Sequence, residues 1–307
     1  MSTTQRILTL VVLALLAVGS LFFLSTSRPG GKPPLLPRDA TEGSSSTPVV
    51  QSHRGYSVEV VSDTDGIRSG RETTISYRIK NDRGGVLKDF AVAHEKIMHF
   101  IAVRKDLQHF QHLHPTFEAA TGTFSIEMTF PADGPYRLFA DFTLSIDNPQ
   151  SLPVTVFVDV VAGDEKKYIP QPVVPDAEHE QIIGAYRVTY EFPGTLKAQT
   201  PVAYSISIAK NDEPVINLES YLGALGHSVF LKTYTLDFIH THAEEQDGRA
   251  RGPLISFSTT FPEPGLYKAF TQFQYEGRVL TTEHVVSVEN GSGETKSPEH
   301  GGGHPAQ

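Results

Sequence analysis

The sequence contains no cysteine and no tryptophan, and only three methionines. Without cysteine the chain cannot form a disulfide framework, a cysteine-ligated zinc finger, an iron–sulfur cluster, a thiol nucleophile or the lipid anchor of bacterial lipoproteins. An excess of positive charge is also missing, because the net charge is −9, and this argues against a nucleic-acid-binding protein. Histidine, by contrast, occurs 13 times. Imidazole is therefore the one abundant side chain that favours binding of transition metals.

The N-terminal region contains a long apolar run. Residues 7–24 read ILTLVVLALLAVGSLFFL without a charge, which is close to the length that crosses a ~30 Å hydrocarbon core and longer than most signal-peptide cores. We predict that residues 1–24 are an uncleaved transmembrane helix, with a cleaved signal peptide as the alternative. The short N-terminus favours a single-pass protein of the cell membrane with an extracytoplasmic bulk, in the periplasm or at the cell surface. The basic residues just after the run favour the opposite orientation.

The remainder divides by composition into alternating linkers and strand-rich regions. Pro-, Gly- and Ser-rich residues 25–54 read as a flexible linker, and residues 164–183 as a second one. Between and after them, short runs rich in β-branched and aromatic residues predict β-sandwich domains at 55–163 and 184–290. Residues 291–307 read as a disordered, histidine-containing tail. The predicted fold class is all-β, with two tandem immunoglobulin-like sandwiches after the N-terminal helix.

The two halves share an aromatic motif. FPxxGxY, followed by a basic residue and then xFxxF, occurs at residues 130–142 and again at 261–273. A Gly-x-Tyr at the start of a late strand resembles the tyrosine corner of immunoglobulin-like sandwiches, in which the hydroxyl ties a loop to the strand. This repeat predicts architecture rather than chemistry.

The second repeat is a histidine pattern with the spacing His-x12-His-x-His. Residues i and i+2 of a strand point the same way, so the last two histidines of each triplet share a face. If residues 97–104 and 109–114 form a hairpin in which position 104 pairs with position 109, the first histidine faces the third directly and the second diagonally. We expect this cluster at the rim of the sandwich core. The triplets are His99, His112 and His114, and His227, His240 and His242.

Three converging imidazoles predict one copper or zinc site in each sandwich, because metal–nitrogen bonds of about 2.0–2.1 Å need such a cluster. Asp141 is the candidate fourth ligand of the first site, where the second repeat has Gln272; a strand-end hydrogen bond is its alternative role. Met98 is a candidate soft ligand, but alternation places it on the opposite face. A structural histidine network, or a cluster that charges below about pH 6.5, is the alternative to a metal site. The remaining histidines are predicted to be incidental.

These residues resemble a known kind of domain. GHSVFLKTYTLDFIHTHAE (226–244) followed by FPEPGLYKAFTQFQYEGRV (261–279) is similar to a domain of bacterial secreted or membrane-anchored proteins that often accompany heavy-metal-binding and copper-handling modules. The first repeat resembles a companion version, and both are loosely similar to the YtkA-like extracytoplasmic β-domains. The resemblance implies an immunoglobulin-like fold and a bound metal, with copper as the first candidate. It also implies other metal-handling envelope proteins as partners. Ala243 departs from the first repeat, which has Pro115 there.

Three functions follow from these observations. The first is a membrane-tethered extracytoplasmic protein that binds copper or zinc for buffering or delivery. The second is a non-metal adhesion or assembly module with structural histidine clusters. An enzyme is the least favoured, because the sequence has no Gly-x-Ser-x-Gly, no His-Glu-x-x-His, no phosphate loop and no paired carboxylates near the histidines. We predict that the protein is not an enzyme and binds no nucleic acid.

Overall fold

A computed structural model describes residues 49–51, 55–64, 66–145, 153–244 and 251–291. The predicted transmembrane helix at 1–24, nearly all of the first linker and the tail beyond residue 291 lie outside the described residues. Within those residues, no helix has the length and apolar character needed to cross a bilayer.

The described residues of the first sandwich form ten strands in two sheets. One sheet has the order β1-β10-β9-β5-β6, with β4 beside β9, and the other has the order β2-β3-β8-β7. The strands are β1 (Val49–Gln51), β2 (Ser57–Val60), β3 (Glu72–Lys80), β4 (Phe90–Ala91), β5 (His99–Arg104), β6 (Gln111–Leu113), β7 (Thr116–Glu118), β8 (Thr123–Thr129), β9 (Gly134–Leu144) and β10 (Pro153–Ala162).

The second sandwich repeats this arrangement after a 3-10 turn, Glu165–Lys167. One sheet has the order β11-β12-β14-β15, with β18 beside β14, and the other has the order β13-β20-β19-β16-β17. The strands are β11 (Glu180–Ile183), β12 (Tyr186–Glu191), β13 (Leu196–Lys197), β14 (Pro201–Lys210), β15 (Glu213–Pro214), β16 (Gly226–Lys232), β17 (Phe238–His242), β18 (Leu254–Thr260), β19 (Gly265–Tyr275) and β20 (Arg278–Glu289).

The strand order is that of an immunoglobulin-like sandwich. In the first sandwich, β2-β3-β8-β7 corresponds to the A-B-E-D sheet, and β6-β5-β9-β10 to the C′-C-F-G sheet. The predicted tyrosine corners are present: Tyr136 donates its hydroxyl to the carbonyl of Ala132 at 3.0 Å, and Tyr267 donates to that of Glu263 at 2.8 Å. The prediction of two tandem all-β domains is therefore confirmed.

The two sandwiches belong to one compact unit and pack against each other. Each has its own apolar core, and a third apolar cluster is made by outward-facing residues of β5, β9, β16 and β19 together with their loops. Every residue of β5 is buried, since Phe100 faces the first core and Ile101 faces the second sandwich. A strand buried on both faces reads as a continuous apolar run rather than an alternating one.

This interface corrects one expectation. We expected the face that carries His99, Ile101 and Val103 at the rim of the sandwich core. It lies instead between the two sandwiches, because the core contacts of β5 come from the opposite face. The histidines of both repeats are therefore brought to one interface.

Candidate metal centre

Both histidine hairpins form with the predicted register. In the first, Ile101 pairs with His112 across β5 and β6, and this register sets His99 opposite His114. In the second, His227 pairs directly with His242 across β16 and β17. The spacing repeated in the sequence thus produces the same cluster twice. We call His99, His112 and His114 the first centre, and His227, His240 and His242 the second centre.

Each centre offers three nitrogen atoms that lie within 4.8 Å of one another. Within the two centres, four buried ring nitrogens have no hydrogen-bond partner among the described residues. They are Nε2 of His114 in the first centre and, in the second, Nδ1 of His227, Nε2 of His240 and Nε2 of His242. A buried, unpaired polar atom costs free energy, and a metal ion would satisfy all three nitrogens of the second centre at once.

In the first histidine of each triplet, the ring nitrogen Nε2 contacts a backbone carbonyl. Nε2 of His99 donates to the carbonyl of Ala93 at 3.2 Å, and Nε2 of His227 lies 2.9 Å from the carbonyl of Tyr221. A carbonyl oxygen only accepts, so in each neutral ring the proton is on Nε2 and the lone pair is on Nδ1. Such outer contacts fix ring orientation and tautomer in metal sites.

The middle histidine of each centre is held by the other sandwich. Nδ1 of His112 donates to Oε1 of Gln272 at 2.7 Å, and Nδ1 of His240 donates to Oδ2 of Asp141 at 2.9 Å. Asp141 and Gln272 hold equivalent places, because Asp141 pairs with His99 and Gln272 with His227. The two sandwiches therefore exchange these contacts crosswise, and each centre depends on the interface.

The first centre places two lone pairs face to face. Nδ1 of His99 lies 3.1 Å from Nε2 of His112, while the opposite nitrogen of each ring already donates to an oxygen. Two acceptors at this distance repel unless a cation lies between them. Two metal–nitrogen bonds at a tetrahedral angle would place their nitrogens about 3.3 Å apart. The geometry fits a bound metal ion.

Burial keeps four rings of the two centres neutral at pH 7, those of His99, His112, His114 and His227. Desolvation lowers the pKa of His99 and of His114 from 6.5 to about 4, and that of His227 to about 3. The pKa of His112 is also lowered well below its usual value, with desolvation again the largest cause. Neutral imidazole, not imidazolium, is the form that ligates metal.

The structure places two other candidates away from the ligand sets. Asp141 does not join the first centre; its carboxylate accepts from Thr155 at 2.6 Å and from His240, so it orients a histidine of the second centre. The crosswise packing of the sandwiches is the physical reason for this difference. Met98 is buried in the first sandwich core, on the face opposite His99 as expected.

Two histidines that we predicted to be incidental, His94 and His284, make specific contacts with neighbouring rings. His94 stacks on His242 with ring centroids 3.5 Å apart. His284 is fully buried and stacks on Tyr190 at 4.5 Å, with His179 hydrogen-bonded to its Nε2 at 3.1 Å. Neither follows the duplicated spacing. His284 could have been found from its alternation with Val286 and Val288, which also face the second core.

A family model described as Domain of unknown function (DUF8832) matches residues 51–160 and again residues 180–290. The chain belongs to this family. The family model therefore covers both sandwiches, in agreement with the internal repeat. Its description assigns no function, so the resemblance to YtkA-like domains and the link to copper handling stay predictions. No curated protein matches the chain.

The chain has a distant likeness to several solved structures. FdeC, an Escherichia coli adhesin, is 13% identical with a TM-score of 0.23, and the match covers 78% of this chain and 65% of FdeC. E. coli alpha-2-macroglobulin is 12% identical with a TM-score of 0.24, over 77% and 20% of the two chains. The D0–D1 domain of intimin is 14% identical with a TM-score of 0.19, over 75% and 98%. Similarity at this level does not indicate a shared function.

Proposed function

We propose that this protein is a membrane-tethered, extracytoplasmic metal-binding protein that holds copper or zinc for buffering or delivery. The observation that carries the proposal is the convergence of three ring nitrogens in each of two hairpins of identical register. Four of these six histidines have a buried ring nitrogen without a hydrogen-bond partner among the described residues. The apolar run at residues 7–24 supports the tether. Binding, rather than catalysis, is the proposed activity.

The donor set narrows the choice of metal. Neutral imidazole nitrogens suit both Cu(II) and Zn(II), and nitrogen sites generally bind copper more tightly than zinc. A blue-copper electron-transfer site needs a thiolate, which a chain without cysteine cannot supply. The proposed cargo is therefore exchangeable copper or zinc, with metal-handling envelope proteins as its proposed partners.

Metal analysis of the full chain tests the proposal. The protein is purified in detergent, loaded with Cu(II) or Zn(II), desalted and assayed for metal. We expect two equivalents, one of which is lost in His112→Ala and one in His240→Ala, while the double variant retains none. His109→Ala is the matched control, since His109 lies outside both centres. A wild-type chain that retains no metal after desalting overturns the proposal.

A second function has a specific observation in its favour. The crosswise contacts from His112 to Gln272 and from His240 to Asp141 join the two sandwiches without any metal. An adhesion or assembly module with a rigid pair of domains would use the histidines in this way. It predicts that His112→Ala and His240→Ala lower the free energy of unfolding while metal content stays at zero in every variant.

A further inference from the structure

A two-residue turn of the same type precedes each histidine hairpin, but its central residues differ between the two sandwiches. In the first sandwich, Ala93 and Lys96 exchange backbone hydrogen bonds of 2.9 and 3.1 Å around a two-residue turn. In the second, Tyr221 and Ala224 do the same at 2.8 and 3.2 Å. Both central residues of each turn have positive φ, as a type I′ turn requires. They are His94 (50°) and Glu95 (63°) in the first turn, and Leu222 (54°) and Gly223 (79°) in the second.

His94, like Leu222 in the second sandwich, has a positive φ, a backbone conformation that residues other than glycine adopt uncommonly. Asn-Gly and Asp-Gly are the usual occupants of such a turn, because a side chain with a bulky Cβ substituent is strained at positive φ. A strained residue that persists is a reason to look for a function at that position. Leu222, at the equivalent place, is buried, whereas the His94 side chain is exposed.

The turn carries His94 across the interface to the second centre. Its ring lies parallel to that of His242, 3.5 Å away and inclined by 21°, and 5.7 Å from the ring of His227. Its ring centroid also lies 6.0 Å from that of His99 in its own sandwich and 6.2 Å from that of His240 in the second centre. Thus His94 belongs to the first sandwich by sequence, while its shortest ring contact is with a histidine of the second centre.

A cavity of 190 Å³ opens beside the second centre. Its wall includes His94, Lys96, His99, Asp141, His240 and His242. The cavity supplies an entry path, which a metal site needs. The χ2 torsion of histidine is broad, so the exposed His94 ring can turn a nitrogen from its stacked position toward the cavity.

From these observations we infer that the second centre is a four-imidazole site in which His94 of the first sandwich is the fourth ligand, so that its metal ion links the two sandwiches. The first centre keeps three imidazoles, because Leu222 replaces the histidine there. This inference rests on the proposed metal-binding function. Nothing in the duplicated histidine spacing indicates it, since His94 lies outside both triplets.

Cobalt(II) binding to the full chain in detergent tests the inference, because the visible spectrum of Co(II) reports ligand number and geometry. The variant is His94→Asn, since asparagine suits positive φ and keeps the turn intact. The control is His109→Asn, which makes the same change at another histidine with positive φ (58°), outside both centres.

We expect wild type and His109→Asn to bind two equivalents with different affinities and with two distinguishable spectra. In His94→Asn the tighter equivalent should weaken about tenfold or more, since loss of even an outer-shell partner typically costs 10–100-fold, and its spectrum should change. Identical affinities and spectra in all three proteins overturn the inference while leaving the metal-binding function intact. Absence of bound cobalt in wild type and control would instead overturn both.

Discussion

The two sandwiches present the same histidine hairpin but surround it with different residues. The middle histidine contacts a carboxylate, Asp141, at the second centre and an amide, Gln272, at the first. The turn nearby supplies His94 to the second centre, whereas the equivalent residue is Leu222. The duplication therefore kept the ligand triplets, while the residues behind them diverged. The two centres are expected to differ in affinity for that reason.

The interface itself is the most symmetric part of the comparison. Phe270 stacks on Phe110 with centroids 4.2 Å apart, and its counterpart Phe139 lies 5.1 Å from Phe238. The basic residues of the two aromatic motifs also exchange contacts: Lys268 donates to the carbonyl of Leu107 at 2.8 Å, and Arg137 donates to that of Thr235 at 2.9 Å. An approximate twofold relation thus holds the two centres together.

Breaking this symmetric interface should have the largest effect. Phe139→Ala and Phe270→Ala each remove a fully buried ring from the interface, which typically costs about 3–5 kcal/mol. Because these rings belong to neither sandwich core, we expect calorimetry to show one unfolding transition in wild type and two in either variant.

The matched control is Phe124→Ala, which removes a ring from the first sandwich core instead. It should lower the stability of the first sandwich and leave the Phe139–Phe238 and Phe110–Phe270 contacts in place. A single transition in both interface variants would show that the two sandwiches do not depend on these contacts.

Exchanging the carboxylate and the amide should reverse the difference between the centres. A carboxylate behind a ligating histidine raises the basicity of the ring, and its loss typically costs 10–100-fold in metal affinity. We expect Asp141→Asn to weaken the second centre about tenfold and Gln272→Glu to strengthen the first. Competition against a chelator of known affinity measures both changes.

Thr155 and Thr281 provide the control for this exchange. Each contacts the residue concerned, Asp141 at 2.6 Å and Gln272 at 3.0 Å. Thr155→Val and Thr281→Val leave both the carboxylate and the amide in place, so they should change metal affinity less than the exchange does. Equal affinities in wild type, Asp141→Asn and Gln272→Glu would contradict the assigned roles.

The smallest expected effect concerns a buried histidine that the first sandwich lacks. The first sandwich has Val158 in the place of His284. Val158 pairs with Leu138 across the sheet, and His284 pairs with Ala269, which is the equivalent of Leu138 in the second aromatic motif. Burial lowers the pKa of His284 from 6.5 to about 4, and the nearby Asp176 only partly opposes this effect.

The sign of the pH dependence follows from that shift. Between pH 6.5 and about 4 the unfolded chain binds a proton at His284 that the folded chain does not, so the free energy of unfolding falls as pH falls through this window. We expect the free energy of unfolding of the metal-free His284→Val variant to fall less steeply with falling pH than that of wild type. The difference in slope should correspond to at most one bound proton. Denaturant titrations at several pH values measure both slopes. Equal slopes would show that Asp176, His179 and Tyr190 hold His284 without a protonation cost.

The histidine register was predictable from the sequence for a physical reason. Side chains of a strand alternate with a period of two, and a four-residue hairpin loop fixes which residues pair. The positions of His99, His112 and His114, and of their repeats, therefore follow from local geometry alone. The tyrosine corners at Tyr136 and Tyr267 were equally predictable, because both ends of each contact lie within one motif.

The sequence by itself thus determined two tandem all-β domains, the two hairpins and which three imidazoles converge in each. Only the tertiary structure decided that both clusters share one interface, that Asp141 and Gln272 serve the opposite sandwich, and that His94 reaches the second centre. These contacts join residues about 100 to 160 positions apart in the chain. No local periodicity records such pairings, because they arise when two separately folded apolar faces are buried against each other.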